Sequence, residues 1–180
     1  AGDLTALNQS RKALTEKGKE EAIRIIETTE LKNDRVLVVY LPDCHESLAG
    51  IIAGRIREKY HRPAFVLTGG ETSAKGSGRS IESYSMYEEL VKCADLMIQF
   101  GGHPMAAGLS IEEKNIEEFR RRLNVNCTLT DEELRPKIVI DVPMPVSYIT
   151  KELVEQISLL EPFGKGNTKP VFAQKNLRVL

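Results

Sequence analysis

The sequence predicts an α/β domain, and three observations carry that reading. The run Arg35-Val36-Leu37-Val38-Val39-Tyr40-Leu41 is apolar and rich in β-branched residues, the make-up of a buried strand. Glu46 to Tyr60 has helical spacing, with Leu48, Ile51, Ile52 and Ile56 on one face. A second apolar run, Ala64-Phe65-Val66-Leu67, then closes a strand–helix–strand unit, for which a parallel pair and a right-handed crossover are expected.

Each element can be justified in turn. Leu4 to Leu31 reads as a long polar helix with sparse apolar positions (Leu7, Leu14, Ala22, Ile25, Ile26) and Gly18 in its middle. A helix so polar is expected to run along a surface as a connector, with something preceding it in a larger protein. Lys32-Asn33-Asp34 breaks it ahead of the first strand, and Pro42-Asp43 ends that strand. The helix from Glu46 has a second, small face (Ala49, Gly50, Ala53, Gly54) that allows a strand or ligand to approach closely. His61-Arg62-Pro63 ends it. Thr68 to Ser80 reads as a glycine- and serine-rich loop, Tyr84 to Met97 as a helix, Met105 to Ile111 as a strand, and Ile116 to Leu123 as an amphipathic helix. Acidic residues at the start of that last helix and Arg120-Arg121-Arg122 at its end suit the helix dipole, which makes the arginines a solvated helix end. From Thr130 the character changes: Leu134-Arg135-Pro136 reads as a linker, Lys137 to Val142 as a strand and Lys151 to Leu160 as a short helix. The material after it is too little for a closed domain, so this part too reads as a piece of something larger.

Composition narrows the functional classes. The 180 residues are 41% hydrophobic and 28% charged, as in a globular protein of one or two domains. No apolar run nears the roughly 18 residues of a membrane span, and the start Ala-Gly-Asp-Leu lacks the basic and apolar regions of a signal peptide. Cys44, Cys93 and Cys127 are odd in number and widely spaced, which fits free thiols in a reducing cytoplasm. The net charge of −1 weighs against a bulk-charge grip on nucleic acid, so any such contact must come from local clusters or a basic partner domain.

Two stretches carry chemistry. Phe100-Gly101-Gly102-His103-Pro104-Met105-Ala106-Ala107-Gly108-Leu109 puts a histidine after two glycines, where an imidazole can meet an oxyanion with no side chain in the way. A tight turn whose histidine caps a neighbouring carbonyl is the alternative. Gly76-Ser77-Gly78-Arg79-Ser80 offers two hydroxyls, a bidentate guanidinium and backbone N–H groups suited to a phosphate. Its alternative is a flexible surface hairpin. It is neither a Walker loop nor a dinucleotide fingerprint. Metal-ligand spacing and a nucleophile elbow are absent from the sequence, and a plain loop is the better reading of adjacent Cys44 and His45 than a thiol–imidazole pair. These residues can bind an anion but cannot make a nucleophile, and so resemble half of an active site.

His45-Glu46-Ser47-Leu48-Ala49-Gly50-Ile51-Ile52-Ala53-Gly54-Arg55, Tyr60-His61-Arg62-Pro63, Gly76-Ser77-Gly78-Arg79-Ser80 and Phe100-Gly101-Gly102-His103 occur in the order found in the RecJ family. That family comprises bacterial single-strand-specific 5′→3′ DNA exonucleases of the DHH phosphoesterase superfamily, and the resemblance covers nearly the whole chain. Leu160-Glu161-Pro162-Phe163-Gly164, Gly166-Asn167 and Pro170-Val171-Phe172 resemble the entry to the family's OB-type domain. The resemblance implies a connector helix over residues 1–32, a Gly-Gly-His substrate-binding domain with a mixed sheet flanked by helices over 33–130, and a linker with the start of an OB-type domain over 131–180. It implies metal-dependent hydrolysis of single-stranded DNA to 5′-mononucleotides in repair and recombination. The Mn²⁺ or Mg²⁺ is expected in an N-terminal domain missing from this chain, so the chain alone is expected to be inactive and to hold no metal.

His103 is then implied at the scissile phosphate, with Gly101 and Gly102 permitting the approach, and Ser77 and Arg79 at the 5′-terminal phosphate. Gly78, Ser80 and Arg55 join them as substrate-binding candidates; Arg55 and Arg62 match family positions, with a structural ion pair as the equal alternative. Cys44 departs from the family, which has an aromatic residue there, and the loop from Gly69 to Lys75 varies. Single-stranded DNA is the implied partner, with single-stranded-DNA-binding protein and a RecQ-type helicase as further candidates. Two rival readings are a phosphodiesterase of short oligonucleotides or cyclic dinucleotides, and a non-catalytic RNA-binding module like that of alanyl-tRNA synthetases.

Overall fold

The structure, a computed structural model, describes residues 2–164 and 166–178. Lys165, within the segment that resembles an OB-domain entry, and residues 179–180 lie outside the described residues. The chain forms two compact units, Ala1–Arg135 and Pro136–Leu180.

In the first unit, α1 (Gly2–Thr28) leads to β1 (Leu37–Leu41), α2 (Glu46–Tyr60), β2 (Ala64–Thr68), β3 (Ala74–Arg79), α3 (Met86–Val91), β4 (Met97–His103), β5 (Ala106–Ile111) and α4 (Ile116–Asn126). The sheet order is β1-β2-β3-β5-β4. β1 and β2 are parallel and every other pair is antiparallel, so the sheet is mixed, as expected. The βαβ unit accounts for the parallel pair: α2 carries the chain back so that β2 can run beside β1.

Each face of the sheet has its own core. On one side Ala22 and Ile26 of α1 and Leu48, Ile52 and Ile56 of α2 pack with Leu37, Val39, Leu41, Ala64 and Val66. On the other, Phe119 and Leu123 of α4 and Met86 and Leu90 of α3 pack with Phe65, Leu67, Leu109 and Ile111. Phe65 and Phe119 meet edge to face, their ring centroids 5.4 Å apart. The polar α1 is thus partly built into this unit: in its C-terminal half Ala22 and Ile26 are buried against β1 and α2, while Leu4, Leu7 and Leu14 are exposed. The helix read from Tyr84 to Met97 is shorter. It ends at Val91, and a single 3₁₀ turn over Ala94–Leu96 redirects the chain into β4.

The glycine- and serine-rich loop read over Thr68 to Ser80 is the main correction. Its second half is β3, a central strand hydrogen-bonded to β2 on one side and β5 on the other. Composition pointed to a loop, whereas the glycines are there because this strand's neighbours press against it.

The arginine run is also more than a solvated helix end. Arg120 forms a two-pronged pair with Asp34 at 2.5 and 3.2 Å, both side chains being largely covered. Arg122 reaches Asp95 at 2.8 Å, and Arg121 and Arg122 both bond Glu118. Next to them the Asn124 amide accepts from the N–H groups of Arg35 and Val36 and donates to the carbonyl of Val36, pinning α4 to the chain entering β1.

In the second unit, β6 (Val142–Pro143) pairs in parallel with β7 (Phe172–Ala173), and α5 (Lys151–Ser158) is capped by Thr150. The strand read over Lys137 to Val142 contributes only its last residue to β6. None of this unit's described residues is buried.

Hydrogen bonds from Arg121 and then Arg122 hold the Glu118 carboxyl at about 2, below its ordinary 4.5. A lowered carboxylate pKa contributes stability that is present above about 4.5 and is lost as pH falls toward 2. The melting temperature of Glu118→Gln should therefore lie below that of the parent at pH 6, with the gap closing as both are titrated to pH 2.

Candidate functional site

Strand alternation sorts the residues of β3. Gly78 turns to the α3/α4 core, where an added Cβ would lie 2.6 Å from both Met86 Sδ and Phe65 Cε1. Ser77 and Arg79 turn the other way, beneath α2. A Cβ at Gly50 would lie 2.7 Å from an Arg79 guanidinium nitrogen and 3.0 Å from Ser77 Oγ, so the small face of α2 is what lets these two side chains fit. Arg79 Nη1 donates to Ser77 Oγ at 3.1 Å and to the Gly78 carbonyl at 2.7 Å. Among the described residues no carboxylate lies within ion-pair distance of Arg79 or Lys75.

Register extends this face over β5 and β4. Arg79 stands opposite Ala106, and Ala106 opposite His103; the next row is Ser77, Gly108 and Gly101; the third is Lys75, Ser110 and Gln99. Directly opposed residues share a sheet face, with strands about 4.8 Å apart and rows about 6.7 Å apart. α2 covers β2 and β3, and beyond Ser77 the middle row has no side chains. A Cβ at Gly101 would meet nothing within 4 Å, and one at Gly108 only a carbonyl oxygen at 3.8 Å. Lys75, Ser77, Gly101, Gly108 and the first turn of α2 line one cavity, which Glu46 also enters.

His103 ends β4 at an exposed two-residue turn. Its Nδ1 accepts from Met105 N–H at 3.3 Å. That bond uses the Nδ1 lone pair, so in the neutral ring the proton sits on Nε2, a donor free for an acceptor outside the turn. Gly102 takes φ +152°. A side chain there would run into the Ala106 carbonyl 2.4 Å away, so this glycine serves the turn itself.

Not every predicted residue belongs to this face. Ser80 is buried, and its hydroxyl donates to the Tyr84 carbonyl at 2.6 Å. Gly78 faces the opposite core. The backbone N–H groups expected to cradle a phosphate lie in a central strand flanked by β2 and β5. Arg55 is exposed and pairs with Glu58 at 3.0 Å, and Arg62 caps the carbonyls of Lys32 and Asp34. Ser77, Arg79, Gly101 and His103 do come to one face. Lys75, Gln99 and Ser110 share this face as well; the alternation of Lys75, Ser77 and Arg79 is the sequence signal for Lys75, hidden by the loop reading, whereas Gln99 and Ser110 reach it only through strand pairing.

Cys44 and His45 form no thiol–imidazole pair. His45 Nδ1 caps α2 by accepting from Ser47 N–H, while burial pushes the Cys44 thiol up, away from thiolate character. Among the described residues no group of three His, Cys, Asp or Glu side chains could hold a metal ion. Among the described residues no helix is long and apolar enough to cross a membrane.

A mixed sheet with one open polar face, ended by a Gly-Gly-His strand, defines the class. The DHHA1 domain model matches residues 33–128, and the chain belongs to that family. The RecJ OB domain model matches residues 140–180. The relatives carry a particular name: single-stranded-DNA-specific exonuclease RecJ of Bacillus subtilis is 36% identical over 94% of the chain, and that of Escherichia coli 35% over 96%. The chain spans 22% and 32% of those relatives' lengths. Crystal structures of Thermus thermophilus RecJ in complex with Mg²⁺ and with Mn²⁺ each superpose with a TM-score of 0.77 at 28% identity. They cover 95% and 96% of this chain, which spans 26% and 25% of theirs.

Gly78→Ala should destabilise the chain by about 1–3 kcal/mol through overpacking, whereas Gly101→Ala should fall within about 0.5 kcal/mol of the parent. Urea unfolding followed by circular dichroism measures both.

Proposed function

We propose that this chain is the substrate-binding part of a single-strand-specific 5′→3′ DNA exonuclease that hydrolyses phosphodiesters with a divalent metal held elsewhere in the protein. The observation that carries the reading is the Arg79 guanidinium, bonded to Ser77 and without a carboxylate partner among the described residues, on a sheet face whose floor is bare glycine. The Arg79 guanidinium and Ser77 hydroxyl are suited to a terminal phosphate dianion, which fixes the polarity of digestion by anchoring one end. Two strands away, about 9.6 Å at the backbone, His103 Nε2–H is suited to the next phosphate along the chain. Gly108 and Gly101 leave the space between open for a single nucleotide.

The His103 role follows from its turn. With Nδ1 engaged by Met105, the ring acts as a hydrogen-bond donor to a phosphoryl oxygen and stabilises the charge that grows there during attack. It has no nearby base or nucleophile to activate among the residues described. This chain binds and polarises, and the attacking water is generated outside it. Repair and recombination, a cytoplasmic setting, and single-stranded-DNA-binding protein and a RecQ-type helicase as partners rest on the RecJ resemblance alone.

Digestion of 5′-phosphorylated single-stranded DNA with Mn²⁺ by a full-length protein carrying this region tests the reading. Mononucleotides should be released from the 5′ end, and duplex DNA, RNA and dinucleotides should be poor substrates. His103→Ala should lower kcat by about 10²–10³, the scale for losing one donor to a developing oxyanion, and His103→Gln should recover part of it. Arg79→Ala should remove the preference for a 5′-phosphate over a 5′-hydroxyl. Preferential cleavage of dinucleotides, or RNA binding without cleavage, would reject the reading.

A further inference from the structure

The third row of the open face has no part in holding the two phosphates. Lys75, Ser110 and Gln99 lie side by side on β3, β5 and β4, and Lys75 Nζ donates to Ser110 Oγ at 3.1 Å. They stand on the far side of the glycine row from Arg79 and His103. The cavity they share with the start of α2 holds about 530 Å³, within the roughly 300–1,000 Å³ of small-molecule sites and far more than a phosphate fills.

The direction of the chain end decides what enters this cavity. With one phosphate at Ser77 and Arg79 and the next at His103, the intervening sugar lies over the glycine floor. The Arg79–His103 row is then taken by phosphates, and the base has free space toward Lys75 and Gln99. We propose that Lys75, Gln99 and Ser110 form a pocket for the nucleobase of the 5′-terminal nucleotide, a specificity element that rests on the exonuclease reading above.

The residue types suit a pocket that must accept every base in turn. Lys75 has three donors on a flexible stem, and all four bases carry acceptors on their edges. The Gln99 amide presents a donor and an acceptor and can turn over to match either. Glu46 at the cavity wall can accept from exocyclic amino groups and ring N–H groups. A pocket built this way distinguishes a base from no base better than one base from another.

The test uses a full-length protein carrying this region and 5′-phosphorylated single strands that differ only in the terminal unit: each of the four bases, or an abasic deoxyribose. kcat/KM for the abasic end should be about tenfold lower than for the base-bearing ends, the scale of one or two hydrogen bonds, with the four bases within about threefold of one another. In Lys75→Met/Gln99→Ala the abasic penalty should disappear while the preference for a 5′-phosphate over a 5′-hydroxyl persists. Both side chains are exposed, so an unchanged melting temperature should accompany these effects. The pocket is overturned if the double variant slows all five ends equally, or if it abolishes the 5′-phosphate preference and so puts Lys75 on phosphate. A parent protein that releases nothing from the 5′ end of single strands overturns the exonuclease reading itself.

Discussion

The first unit depends on one constraint, the alternation of side chains along β3. Lys75, Gly76, Ser77, Gly78 and Arg79 occupy the middle of the sheet with both edges hydrogen-bonded, so successive residues must face opposite sides of the sheet. Phe65, Met86 and Leu109 claim the space on one side and leave room only for glycine. All polar chemistry is thereby forced onto the other face. A register slip of one residue would push a guanidinium into the aromatic core, which makes the pairing of this strand strongly specified despite its weak intrinsic preference for strand.

α2 completes the arrangement through what it lacks. Gly50 brings the helix down over β3 without displacing Ser77 or Arg79, and the helix packs chiefly on β2 and β3. The half-covered sheet is thus both a folded core and an exposed platform. On its opposite face α3 lies against β4 and β5, so the strands bearing Gly101, Gly108 and His103 are supported from behind and open in front. That combination holds polar groups on rigid backbone while leaving them accessible.

Much of this was legible in the residues. The strand–helix–strand unit follows from periodicity, and α2 from Glu46 to Tyr60 matches its pattern at both ends. The Gly-Gly-His stretch was recognisable as a place for an oxyanion, but not as the end of an edge strand, because Gly101 and Gly102 weaken the strand pattern. β3 was missed for the same reason: its glycines answer to Phe65 and Met86, which lie far away in sequence. Ser80 and Gly78 were drawn into the candidate site by adjacency to Ser77 and Arg79, although alternation sends them to the other side. Lys75 joins the face of Ser77 and Arg79 only through alternation along β3, a relation that a loop does not carry. The paired roles of Arg120 and Arg122 depend on Asp34 and Asp95, which only the tertiary fold brings to α4.

The Asn124 clasp on the chain entering β1 bears on how the molecule behaves in crowded solution. β1 is an outer strand, and an outer strand offers its free N–H and C=O groups to any extended segment of another chain. The Asn124 side chain imitates one residue of such a segment, occupying both the N–H and the carbonyl of Val36 from within the same molecule. An intramolecular plug of this kind closes the entrance to an outer, valine-rich strand against a second chain, at the cost of a single amide.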